Sequence, residues 1–210
     1  MKAIFEHSTT SARVILLITV SILSFLLFSL LSLFITGGDF ADINSLRLAQ
    51  LLQSVGLFIL PPLLLAYLWS SNSSVWLQTD NRPSVGKLLL VVAIMWSAIP
   101  AINLMGSLNQ QLQLPESLAG LEATLKAMEA DAEALTERLL TMNSVGELLL
   151  TLGLVAVIPA VGEELFFRGT IQQLIRTKWG PHVAVWLTAL IFSAIHFQFY
   201  GFVPRMLLGA

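Results

Sequence analysis

The chain has 210 residues, 56% of them hydrophobic and 11% charged, with a mean hydropathy of +0.80. A soluble domain carries about a quarter charged residues, so this composition excludes a water-soluble globule and indicates an all-α, polytopic transmembrane helical bundle. A net charge of −2 offers nothing to a nucleic acid, and the lack of cysteine excludes disulfides, a thiolate zinc site and a cysteine nucleophile.

The apolar runs predict five spans and the start of a sixth. The first covers roughly 14–36 and follows Lys2 and Arg13. It is longer than the apolar core of a signal peptide, about 7–15 residues, so it reads as an anchor. The second, roughly 47–69, contains Pro61-Pro62, which should break it in two. The third, roughly 86–106, should kink at Pro100. The fourth starts near 145 and runs beyond 163, to about 176 (Ser144 and Glu147 have capping-box spacing), and the fifth covers roughly 182–200. "PRMLLGA" reads as the first turns of a sixth, with Pro204 near its start.

Between the third and fourth spans, Leu118, Leu121, Leu125, Met128, Ala132, Leu135, Leu139 and Met142 recur in steps of three and four. That period predicts an amphipathic extramembrane helix lying against the protein or the membrane interface. Its other faces are mainly acidic. Lys2, Arg13, Arg82, Lys87, Arg176 and Lys178 fall on one side of the predicted spans and the acidic 107–142 segment on the other. The excess of basic residues places the N-terminus in the cytoplasm, in a multi-pass protein of the cell membrane, such as a bacterial inner membrane.

Charge inside such a chain is costly, and "VIPAVGEELFFRGTIQ" contains three charged residues. On an α-helix Glu164 and Arg168 are four apart and share a face. Glu163 lies about 100° from Glu164 around the axis, which leaves it to face a cavity. The next apolar run contains His196, and Gly180-Pro181 should break the chain between the two. A hairpin turning at Trp179-Gly180 would put Glu163 and His196 level, each about 16 residues, on the order of 20–25 Å, from the turn. A carboxylate and an imidazole at one depth can activate a water for attack on a carbonyl. Alternatively both can ligate zinc, which needs about three protein groups. Structural roles compete with these: Glu164–Arg168 as a buried lock, and His196 as a satisfied core histidine. Ser193, three before His196, lacks the G-x-S-x-G setting of a nucleophile.

"EELFFR" (Glu163, Glu164, Arg168) fits an E-E-x-x-x-R motif and "FSAIH" (Phe192, His196) an F-x-x-x-H motif. In this order, on consecutive apolar segments, they resemble the CPBP family of CAAX prenyl proteases, bacteriocin-processing enzymes and lysostaphin-resistance-type proteins, also called Abi. The resemblance covers about 145–210 and divides the chain into an N-terminal membrane part, 1–143, and a partial catalytic domain, 144–210. It implies an intramembrane endopeptidase in which Glu163 and His196 activate the water and Glu164 and Arg168 support the site. The family has carried a metalloprotease label, and its prenyl-protease members imply a glutamate mechanism without metal. A third motif, a histidine followed four residues later by asparagine or aspartate, does not occur after His196, and the chain is expected to be a C-terminally truncated piece.

The expected partners are a peptide or protein substrate in or near the membrane and the lipid bilayer. Two other functions compete. A catalytically inactive scaffold or immunity-type binder would keep the Glu164–Arg168 pair and dispense with Glu163. A proton-coupled transporter would use Glu and His as a relay, but no inverted repeat is evident. Asp39, Asp42, Asp80 and Asp131 fall in loops or in the amphipathic helix, which disfavours aspartyl chemistry.

Overall fold

The computed structural model describes residues 3–111 and 114–210; Lys2, used above for topology, lies outside them. The described chain is helical, without strands. Four helices are long and apolar enough to cross a membrane: α1 (Thr10–Thr36), α2 (Ile43–Trp69), α4 (Val85–Gln110) and α6 (Val145–Ala194). The others are the short α3 (Ser73–Trp76), the amphipathic α5 (Ala119–Leu139) and α7 (Phe202–Gly209). The expected fourth and fifth spans are the two arms of α6, which is broken at Gly180, where φ is 81° and ψ 174°. A Cβ is strained at that φ, so glycine is the residue that makes the break there.

Pro61-Pro62 does not break its span. Helix α2 runs on through both prolines because the turns before them, Val55–Ile59, are π turns. The same device precedes Pro159: Leu152–Val157 is also π-helical. Proline lacks the N–H of the helical ladder, and its ring collides with the carbonyl four residues back. Closing the preceding turn as i→i+5 widens it and moves that carbonyl aside, as the bonds from Leu60 N to Val55 O and from Ile158 N to Gly153 O show. Helix α4 continues through Pro100.

The chain forms two compact units. The first comprises Met1–Asp80 and Leu135–Gly180. Its core gathers Leu17, Leu65, Trp69 and Leu174, with Leu16, Val20, Phe166 and Ile171 packed around them. Two glycines set how closely its helices approach. A Cβ on Gly56 would lie 2.6 Å from the Cβ of Phe28, and one on Gly162 would lie 2.9 Å from the Cβ of Phe58. Small residues at such positions let membrane helices touch backbone to backbone. The basic end of this unit is organised: Arg13 stacks over Trp69 at 5.6 Å and bonds Glu6 O, while the start of α1 lines a cavity together with Leu174, Ile175 and Lys178. At the opposite end of α1, Ser144 caps α6 by accepting from Glu147 N, and Glu147 Oε2 accepts from Asn143 N at 2.8 Å. That is the expected capping box, shifted by one residue in its return bond.

The second unit comprises Asn81–Ala134 and Pro181–Ala210. Here α7 packs on α4, and Asn109, buried near the end of α4, donates to Phe199 O at 3.0 Å. Helix α5 shows the expected period, but the stripe residues Leu118, Leu121 and Met128 are exposed. The acidic side chains Glu122 and Glu129 turn inward instead. Tyr200 Oη donates to Glu122 Oε1 at 3.0 Å, Tyr200 N–H donates to Glu129 Oε2 at 3.4 Å, and Lys126 pairs with Glu122 at 2.8 Å.

Candidate active site

Glu163 closes the α-helical stretch Ile158–Glu163, and Glu164 opens the third π segment, Glu164–Ile171. Thr170 Oγ1 bonds Leu165 O across five residues, the span of a π turn. This segment is anchored on its apolar side. Phe167 is fully buried, and Phe58 of α2 meets Phe166 and Phe167 with ring centroids 5.6 and 6.1 Å apart. Gly169 lies against Leu77, leaving 3.3 Å for a Cβ. The carboxylates are therefore held on a helix fixed to α2 by aromatic packing, which limits their freedom to rotate.

Glu164 Oε2 and Arg168 Nε are 3.6 Å apart, so the predicted ion pair forms, slightly beyond hydrogen-bonding distance. Glu164 is the more exposed partner, with 64% of its side chain accessible against 28% for Arg168. Glu163 is half-buried. The α geometry assumed for this segment from the sequence, in which five residues turn about 500° and would leave Glu163 and Arg168 about 140° apart, needs correction. A π turn takes more residues per revolution, so position 168 returns closer to the face of position 163. Nothing in the sequence marks this turn except the proline upstream and the dense glycine spacing of 153, 162 and 169.

His196 is not in the middle of a helix. Helix α6 ends at Ala194, and residues 195–197 form a turn with Phe197 at φ 52°. The turn is stabilised from both sides. Ser193 is fully buried and its Oγ donates to Phe202 O at 2.6 Å, tying the end of α6 to the start of α7. That bond gives Ser193 a structural task. His196 is half-buried against Phe192, with ring centroids 4.9 Å apart, and its Nδ1 lies 2.7 Å from Phe192 O. A carbonyl only accepts, so Nδ1 carries the proton in the neutral ring and Nε2 is left as the basic nitrogen. The i, i+4 spacing of the F-x-x-x-H motif thus has a local meaning: Phe192 supplies both a ring to pack against and a carbonyl that selects the tautomer.

The sequence reading missed the residues that hold this turn from outside. Gln198 and Arg205 hydrogen-bond to one another, and Tyr200, two residues after Gln198, is clasped by Glu122 and Glu129 as described. Glu122 is held below the usual glutamate range, first by Lys126 and then by the Tyr200 hydroxyl. A carboxylate with a depressed pKa contributes fully above its unfolded pKa, and the contribution is lost as pH falls through the lower folded value. Protection of the 195–201 amides, taken relative to their intrinsic exchange rates at each pH, is therefore expected to be high at neutral pH and to fall on acidification below the usual glutamate range. In Tyr200→Phe the neutral-pH protection should drop and the acid dependence shrink; equal exchange in the two proteins across that range would show that Glu122 does not hold the turn.

Among the described residues, neither unit gathers three His, Cys, Asp or Glu side chains into a set that could hold a metal ion. Residues 145–210, which contain both motifs, match the model of the Rce1-like family, described as type II CAAX prenyl endopeptidase Rce1-like. No curated protein and no solved structure matches the chain.

Proposed function

Because residues 145–210 carry an Rce1-like type II CAAX prenyl endopeptidase domain in a chain with several membrane-length apolar helices, we propose that this multi-pass membrane protein is an intramembrane endopeptidase. The observation that carries the reading is the enclosure of Glu163, Glu164, Arg168 and His196 within the matched segment. In the proposed reaction Glu163 takes a proton from a water, the hydroxide adds to the scissile carbonyl, and the proton passes to the leaving amine as the C–N bond breaks. On the family resemblance His196 is proposed to assist in activating the water, and its Nε2 is the nitrogen left basic by the Phe192 carbonyl. Glu164 and Arg168, paired at 3.6 Å, are proposed to support the site. The proposed chemistry uses no cofactor. Zinc, which the metalloprotease label would call for, finds no three-ligand set among the described residues.

The substrate class proposed is a peptide whose scissile bond lies at or within the bilayer, with a prenylated C-terminal segment as the first candidate. The membrane is proposed to be a cell membrane, with the N-terminus cytoplasmic. The test is cleavage in proteoliposomes containing the purified chain, with a farnesylated and an unfarnesylated C-terminal peptide, read by mass spectrometry. A single cut that requires the farnesyl group is expected. Absence of any cut in either peptide, with the protein folded, counts against the enzyme and for a scaffold.

A further inference from the structure

Arg47 lies one turn into α2 and is 4% exposed. Its Nη2 donates to Thr141 O at 2.7 Å and to Thr151 Oγ1 at 3.0 Å, both neutral acceptors. Its Nε is buried without an acceptor, and among the described residues no carboxylate pairs with it. A guanidinium cannot shed its charge by losing a proton, so burial without a counter-ion is strongly unfavourable. The described residues supply no counter-charge to it.

Arg47 borders a cavity of about 330 Å³, lined also by Arg138, Asn44, Thr141, Asn143 and Glu147. Arg138 donates to Phe40 O and Ala41 O, which fixes its guanidinium at the rim. Glu147 also lines the cavity, but its Oε2 is engaged by Asn143 N–H, so the lining keeps one net positive charge. The cavity sits at the ends of apolar helices, by the Gly37 end of α1, the Asp42 cap of α2 and the Ser144 cap of α6. In a membrane such helix ends lie at headgroup level, where phosphates are concentrated and basic side chains attract them.

We infer that this cavity is an anion site that binds a phosphate group through Arg47 and Arg138, taken from an anionic lipid headgroup or from a free phosphate ion. Forked N–H donors suit phosphate oxygens, and the amides of Asn44 and Asn143 add neutral donors beside them. The site belongs to the first unit and does not depend on the endopeptidase reading.

The test uses the full chain in detergent, stripped of lipid, with thermal unfolding followed by tryptophan fluorescence. The additions are phosphatidylglycerol, a diacylglycerol with the same acyl chains, and inorganic phosphate. Phosphatidylglycerol is expected to raise the Tm by several degrees, and the diacylglycerol to leave it unchanged. A comparable rise with inorganic phosphate would assign the site to the free ion, and a rise with the lipid alone to the headgroup. Arg47→Gln should abolish the response. Arg138→Gln, at an exposed rim position, should weaken binding about tenfold to a hundredfold and carries the test if the first variant does not fold. An equal rise with the diacylglycerol, no rise with either phosphate compound, or an undiminished response in Arg138→Gln would overturn the inference.

Discussion

Glu163→Gln is expected to lower the cleavage rate by about 10²–10⁴-fold, the usual contribution of a general base, while leaving helicity and the Tm nearly unchanged. The substitution keeps the side chain's shape and removes only its ability to accept a proton. Glu163 is half-buried at the end of an α stretch, on a helix packed through Phe166 and Phe167. Glu164→Gln provides the contrast. It leaves Arg168 without the partner now 3.6 Å away, so a loss of stability should accompany whatever activity it loses. A scaffold would show the reverse order, with Glu163→Gln silent in every assay and function lost on disrupting Glu164 or Arg168. Parallel kinetics and thermal melts of the two variants separate the readings.

The second large effect is expected far from the carboxylates. Gly56→Ala would place a Cβ 2.6 Å from Phe28 Cβ and 2.8 Å from its Cγ. Those atoms are the root of the side chain and cannot swing aside, so α1 and α2 must part. Overpacking of this kind costs about 1–3 kcal/mol. The displacement should also travel, because Phe58, two residues along α2, packs on Phe166 and against Gly162, next to Glu163. Gly56→Ala is therefore expected to lower the Tm by several degrees and to reduce cleavage as well. Gly153→Ala is the control, since a Cβ there meets nothing within 4 Å. Equal melting temperatures for the two variants would mean that the close approach at Gly56 carries no energetic weight.

Much of this protein was legible before any coordinates. Hydropathy alone identified the helical class and the long apolar segments, because a bilayer demands about 20 apolar residues and self-satisfied backbone bonds whatever the neighbours are. Local chemistry was equally readable: the Ser144 cap, the break at Gly180 and the Glu164–Arg168 pair each depend on residues within a few positions of one another. Residue spacing also brought forward the two motifs that the family match encloses.

What the sequence could not decide were the features that need a partner from elsewhere in the chain. Whether a proline breaks a helix or is absorbed depends on whether the surrounding helices hold the preceding turn open, and three π segments were invisible for that reason. The inward turn of Glu122 and Glu129 contradicts the simple rule that apolar residues face inward. It was settled by Tyr200, about 80 residues away, which offers those carboxylates hydrogen bonds that no apolar stripe could provide. Arg47 reads in sequence as an ordinary residue near the start of a span; only packing buries it and leaves its charge without a counter-charge among the described residues. Periodicity reports what one helix can do alone, and tertiary structure decides which of its faces is offered a partner.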